Sequence, residues 1–257
     1  MHFSVGIAIG VGMGQVGVIN IFSSPYEYGV TRRPTFTEER EYLELHGSRM
    51  PAQRDVVSVV YNHFQAAKHI AQTPMDGAFE WFVDAALSKD LAYSDLTSMM
   101  PAETPPALLD YQERHTTYNR RRFESEVDEF GVYLSRGQIL YHGGLWPMNV
   151  ERLVTDRPLS TTFNPQKAWH VAVHNGKAYR AGRLDIFLIT VSAPSTKSYH
   201  YTPDSQHGHE REVVFASGAT LNCIRDIYIC DGVVHSGEAF SNKKKTVPVH
   251  VIEVELS

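Results

Sequence analysis

Apolar residues fall at two different periods along this chain, and the change between them divides it. In "AQRDVVSVVYNHFQAAKHIAQ", residues 52–72, Val56, Val59, Val60, Phe64 and Ala67 are spaced as one face of a helix. Phe79, Phe82, Val83 and Ala86 do the same in residues 76–91. After the breaker "MMPAETPP", "ALLDYQERHTTYNRRRFESEVDEFGVYL" reads as one long charged helix ending near Gly131. Residues 23–50 read as turn-rich and polar. Beyond residue 131 the pattern shortens to "QILYHG", "PLSTTF", "RLDIFLITV", "EREVVFA", "NCIRDIYIC" and "PVHVIEVEL". Val, Ile, Tyr and Phe dominate these stretches, which predict strands. Helices are expected near 147–155 and, after Asn164-Pro165, over 165–174. The expected fold class is α+β, with a mainly helical amino-terminal lobe over residues 1–130 and a β-rich core over 131–257.

The first 22 residues, "MHFSVGIAIGVGMGQVGVINIF", contain no Lys, Arg, Asp or Glu. A signal peptide is disfavoured because the basic leader and a clean small-residue cleavage site are missing. Five glycines weaken a spanning helix, and large residues alternate with small ones from Phe3 to Met13, so a buried strand or irregular segment is expected. The length alone leaves membrane insertion as the alternative. Gly12, Gly14 and Gly17 spell the dinucleotide-binding fingerprint, but that motif needs a helix to start within it. The β-branched and turn-like "VINIFSSPYEYG" follows instead, so the fingerprint is rejected.

A formal charge of -5 gives no global attraction to nucleic acid or anionic lipid. The local basic runs "NRRRFE" and "NKKKT" read as solvated faces or turns. Cys223 and Cys230, the two cysteines, lie seven apart in a strand-like stretch and face opposite sides. That argues against a disulfide framework or a cysteine-based zinc site and suits a reducing compartment.

Three stretches of the second half carry chemistry. "LYHGG" sets His142 at the end of an apolar strand, before two glycines. "LSTTFNPQKAWHVA" ends a strand in hydroxyls and then starts a helix with Ala168 and Ala172 on one face. In "HGHEREVVF", Glu210 and Glu212 are two apart on a predicted strand, so they point the same way while Arg211 points oppositely. An exposed strand end explains such a pair equally well. Chemically, paired carboxylates facing one cavity suit a reaction that passes through an oxocarbenium ion.

Together, in this order and spacing, the three resemble the motifs of the ADP-ribosyltransferase superfamily, over roughly residues 132–257. The resemblance implies a split-sheet core and transfer of ADP-ribose from NAD, the co-substrate, with release of nicotinamide and no metal. It implies that Glu212 binds the nicotinamide ribose and stabilises the oxocarbenium ion, and that Glu210 orients or deprotonates the acceptor. It further implies that His142 hydrogen-bonds a ribose hydroxyl and that Gly143 lets the backbone approach the nicotinamide amide. Ser160 would brace the glutamate, Thr161 and Thr162 would build the wall beside it, and Phe163 would line the pocket or fill the core. Tyr199 and Tyr201, in the loop where the family recognises targets, are candidate acceptor contacts or ordinary surface tyrosines.

The combination is a hybrid, since the Ser-Thr-Ser and Glu-x-Glu pattern normally comes with Arg where this chain has His142. Neutral His cannot pair with a diphosphate as Arg does, so the phosphate contacts must come from other residues. Glu-x-Glu implies an arginine on a protein as acceptor, with RNA or DNA as the alternative that the Arg120–Arg122 run would suit. Toxin-like members imply a bacterial or phage effector that acts in cytoplasm after secretion or injection, with an immunity protein or antitoxin as partner and no membrane. Two rivals stand beside this reading. One is a zinc hydrolase built on His200, His207, His209 and Glu210; the other is a non-catalytic NAD-binding module.

Overall fold

The computed structural model describes residues 16–193, 195–203, 205, 208–238 and 242–257. Strand β1 (Tyr26–Arg32), helix α1 (Phe36–His46) and strand β2 (Gln53–Val60) open the chain, followed by five helices. These are α2 (His63–Gln72), α3 (Gly77–Leu87), α4 (Leu91–Ser98), α5 (Pro106–Glu113) and α6 (Arg120–Phe130). The second half runs β3 (Ile139–Gly144), β4 (Arg152–Val154), β5 (Leu159–Thr162), α7 (Pro165–Val173), α8 (Lys177–Ala181), β6 (Leu184–Val191) and β7 (Ser198–His200). It closes with β8 (Glu212–Phe215), β9 (Thr220–His235) and β10 (Lys244–Leu256). The architecture is α+β, as the change of period indicates.

Several elements differ from the pattern reading, each for a local reason. Residues 52–72 are not one helix: β2 occupies the first part, where "DVVSVV" is rich in β-branched side chains that lose rotamer freedom in a helix. Asn62 then caps α2, its side chain accepting from the Gln65 N–H at 2.9 Å. Residues 23–50 hold β1 and α1, the helix being started by a Thr35–Glu38 capping box. The long charged helix breaks at Arg114–Asn119, and Asn119 caps α6. The helix expected near 147–155 is absent; Asn149 takes a left-handed conformation (φ 60°), and Arg152–Val154 pair with β9 as a strand. The alternation expected from Phe3 to Met13, together with Gly12 and Gly14, lies outside the described residues. After Gly17 the chain is irregular up to β1.

Eight strands form one sheet in the order β4-β9-β10-β6-β3-β5-β8-β7. All neighbours are antiparallel except β10 and β6, which are parallel. Strands β6 and β8 are almost wholly buried, while β1 and β2 form a separate hairpin. The weak seam of the large sheet lies between β3 and β5, whose only registered pair is Tyr141 with Thr162. The two parts of the sheet diverge there and leave room between strand ends. Buried side chains from both halves of the chain form one continuous apolar cluster, from Val16 to Leu256.

Candidate active site

The seam between β3 and β5 opens into a cavity of about 170 Å3. Its walls are Tyr141, His142 and Gly143 of β3, Ser160, Thr161 and Thr162 of β5, one face of α7, and the carboxylates of Glu210 and Glu212. The sheet register assembles this set. Thr162 stands opposite Glu212, which makes Ser160 its diagonal neighbour on the same face. The Ser160 hydroxyl donates to Glu212 Oε1. Thr161 points to the other face and donates to the Val213 carbonyl at 2.7 Å. Thr162 donates to the Glu210 carbonyl at 2.7 Å and accepts from the Asn164 N–H at 3.0 Å, tying the turn before β8 to the start of α7.

The two carboxylates converge, but not by simple strand alternation. Glu210 closes a short 3-10 turn, Gly208–Glu210, and β8 begins only at Glu212. Between them Arg211 adopts a left-handed conformation (φ 51°), a costly state for a non-glycine residue. Its guanidinium holds that bend by donating to Asp84 of α3 at 2.9 Å. Glu212 is only 8% exposed. Burial pushes its pKa up to about 7, with the Glu210 carboxylate adding to the rise. The hydrogen bond from the Ser160 hydroxyl pulls the other way.

His142 is half-buried, and its Nδ1 lies 2.6 Å from the Ser160 carbonyl, so Nδ1 carries the proton. Burial holds its pKa down near 4, helped by the positive charges of Lys177 and Arg157. The ring is therefore neutral, and its free Nε2 is an acceptor. Lys177 and Arg157 are solvent-facing, and neither forms an ion pair among the described residues. They place a double positive charge beside a cavity whose other charges are the two carboxylates and Lys167, which is paired with Glu80 at 2.6 Å.

The glycine at 143 is required by packing. A Cβ there would fall 1.8 Å from the Ala168 carbonyl oxygen, because α7 lies directly on β3 with Ala168 and Ala172 facing the strand. The opposite face of α7 turns Lys167, His170 and Val171 into the cavity. Phe163 does not line it: the ring is buried in the core, edge-on to Tyr93 at 5.7 Å. Tyr199 and Tyr201 are fully buried as well, with ring centroids 5.2 Å apart, and the Tyr201 hydroxyl donates to the Leu108 carbonyl at 2.8 Å. They present nothing to an incoming macromolecule, so the recognition role expected for them does not fit; their apolar neighbours drew them into the core.

Of the proposed zinc set, His207 and the side chain of His209 lie outside the described residues. His200 is buried, with Nδ1 3.1 Å from the Glu212 carbonyl. No group of three or more His, Cys, Asp or Glu is arranged to hold a metal among the described residues, and no helix among them is long and apolar enough to cross a membrane. Sequence reasoning missed Lys167, His170 and Val171, although the helical period of residues 165–174 could have shown them. It also missed Arg157 and Lys177, which no local pattern marks.

No family model matches the sequence, and no curated protein does either. Solved structures align with parts of the chain at low similarity. The enzymatic component C2-I of the C2 toxin from Clostridium botulinum aligns at 13% identity and TM-score 0.36, over 63% of this chain and 45% of C2-I. The toxin Vis from Vibrio splendidus aligns at 17% identity and TM-score 0.37, over 76% of this chain and 86% of Vis. HopU1 of Pseudomonas syringae aligns at 13% identity and TM-score 0.32, over 64% of this chain and 65% of HopU1. Vis and HopU1 are ADP-ribosyltransferases. The chain thus spans less than half the length of C2-I.

Proposed function

We propose that this chain is a mono-ADP-ribosyltransferase that cleaves NAD at the nicotinamide glycosidic bond and passes ADP-ribose to a protein arginine. The observation that carries the proposal is the buried Glu212 carboxylate, fixed by the Ser160 hydroxyl and facing the same cavity as Glu210. The residues present suit the co-substrate. A cavity of about 170 Å3 has room for a nicotinamide ring, and most of the dinucleotide must lie outside it. The neutral His142 Nε2 can accept from a ribose hydroxyl. Lys177 and Arg157 beside it supply the positive charge for a diphosphate that a neutral histidine cannot supply.

In the chemical step the bond from the ribose C1′ to the pyridinium nitrogen breaks. Nicotinamide leaves with the electron pair, and positive charge develops at C1′ and its ring oxygen. An ionised Glu212 beside that centre is worth far more in a water-poor cavity than in solvent. Glu210 holds the acceptor guanidinium and takes the proton released as the new C1′–N bond forms.

Nucleic acid is the runner-up acceptor, favoured by the exposed Arg121 and Arg122 of α6. Their neighbour Arg120 bonds Ser217, beyond the end of β8 remote from the carboxylates, so that run lies away from the cavity. By the same reading the protein is a bacterial or phage toxin or effector. Radiolabelled NAD incubated with whole lysate, split between protease and nuclease treatment, tests the acceptor. Label that disappears with protease supports protein; label that disappears with nuclease overturns that choice. Glu210→Ala should keep hydrolysis of NAD by water while losing most of the transfer, and equal loss of both reactions would contradict its role.

A further inference from the structure

Helix α3 lies in the amino-terminal half, outside every motif described above, yet it grips two parts of the site. Glu80 takes Lys167 of α7 at 2.6 Å, and Asp84, one turn later, accepts from Arg211 Nε at 2.9 Å. The helix is a firm base for both. Asp76 caps it by accepting from the Ala78 and Phe79 N–H groups at 3.2 and 3.3 Å, and Phe79, Val83 and Leu87 are buried. The Asp84–Arg211 pair is partly buried, so water and salt screen it less than a surface pair.

The two cavity carboxylates are held in different ways. Glu212 is fixed apart from the bend at Arg211. Thr162 is its registered partner, its carbonyl accepts from the Tyr201 N–H at 3.1 Å, and the Ser160 hydroxyl holds its side chain. The Glu210 carboxylate makes no hydrogen bond or ion pair among the described residues, so its backbone alone aims it. The Thr162 hydroxyl fixes the Glu210 carbonyl oxygen but not the torsion that follows, the left-handed φ of 51° at Arg211. The other closures around that torsion are long. The Arg211 N–H meets the Gly208 carbonyl at 3.2 Å, the Phe163 N–H meets the Arg211 carbonyl at 3.4 Å, and Arg211 Nη1 lies 3.5 Å from the Tyr93 hydroxyl. The short charge-assisted bond to Asp84 is the strongest of them.

We propose that Asp84 is a positioning residue for Glu210: through Arg211 it keeps the bend and so sets how well a bound guanidine, rather than water, captures the ADP-ribosyl group. The inference rests on the reading of Glu210 as the group that takes the acceptor proton. In both outcomes nicotinamide leaves with the electron pair. Capture by guanidine forms a C1′–N bond and passes a proton to Glu210; capture by water forms a C1′–O bond and passes it to solvent. Glycine adopts a positive φ freely, so a chain with glycine at 211 should no longer need Asp84.

The test gives the full chain NAD together with agmatine, a small guanidine, and measures ADP-ribosylagmatine against free ADP-ribose. Asp84→Ala leaves α3 a good helix former and should lower that ratio about tenfold. Adding Arg211→Gly to Asp84→Ala should recover most of the loss. A merely structural role would lower both products together; an unchanged ratio, or one that Arg211→Gly fails to recover, would overturn the proposal. Crystals of Asp84→Ala without NAD should show Arg211 at negative φ with Glu210 turned from the cavity, and an unaltered bend would overturn it as well. A lost bend in a chain that does not cleave NAD would sustain the tie from Asp84 to Glu210 and remove the enzymatic reading alone.

Discussion

Burial, opposed by the Ser160 hydroxyl, pushes the Glu212 pKa up to about 7, so its ionisation sets when the site can work. For a carboxylate that must be charged, kcat/KM should rise about tenfold per pH unit below about 7 and level off above it. A flat profile from pH 5 to 8 would show that another group governs the rate. The same burial has a stability consequence. A carboxyl whose folded pKa lies above its unfolded value stabilises the fold below the unfolded pKa, near 4.5, and that contribution is lost as pH rises through about 7. At pH 8 Glu212→Gln removes an unfavourable buried charge while keeping the acceptor for Ser160. It should stabilise the protein by about 2–3 kcal/mol in urea unfolding, with no gain at pH 4.

At the scale of elements, the site is a product of two contacts, β5 with β8 and α7 with β3. The first was legible in the sequence, since the hydroxyl run Ser160–Thr162 lies on β5 and Glu212 opens β8, strands whose type the residue pattern gives. The bend that brings Glu210 round was not, because Arg211 is an ordinary residue in strand-like surroundings, and its left-handed state depends on Asp84 over a hundred residues away. Gly143 has a second reason that the sequence did not show: a Cβ there is forbidden by α7. Gly143→Ala forces α7 off β3 and should cost at least ~1–3 kcal/mol in urea unfolding, with weakened NAD binding as Lys167 and His170 shift. Unaltered stability would mean that the helix has room to give. Val56, Val59 and Val60 misled because a short β-branched run fits a strand and a helical face alike; only the Asn62 cap separates them.

The whole molecule uses its amino-terminal half to brace the carboxylates. Asp84 fixes Arg211 and Glu80 fixes Lys167. Neither pairing leaves a trace in local sequence pattern, so this half looked the least informative. Three histidines, the half-buried His63 and His142 and the buried His200, also set how the fold meets acid. Burial lowers each pKa to about 4, so each contributes stability that is complete above the unfolded value near 6.5 and is lost as pH falls through 4. Glu212 opposes them between about 4.5 and 7, but one group cannot offset three of similar size. Chemical unfolding between pH 6.5 and 4 should therefore show a steep net loss of stability, roughly 1–3 kcal/mol per histidine. A protein equally stable at both ends would contradict this assignment.

The most direct measurement is nicotinamide release from NAD at pH 8 by the full chain and by Glu212→Gln. The account predicts steady release by the unaltered protein and a fall of about 10²–10⁴ in the variant, with the variant folded and at least as stable. Equal release by both, or none from the unaltered chain with or without cell lysate, would contradict the claim that the Glu212 carboxylate stabilises positive charge as the glycosidic bond breaks.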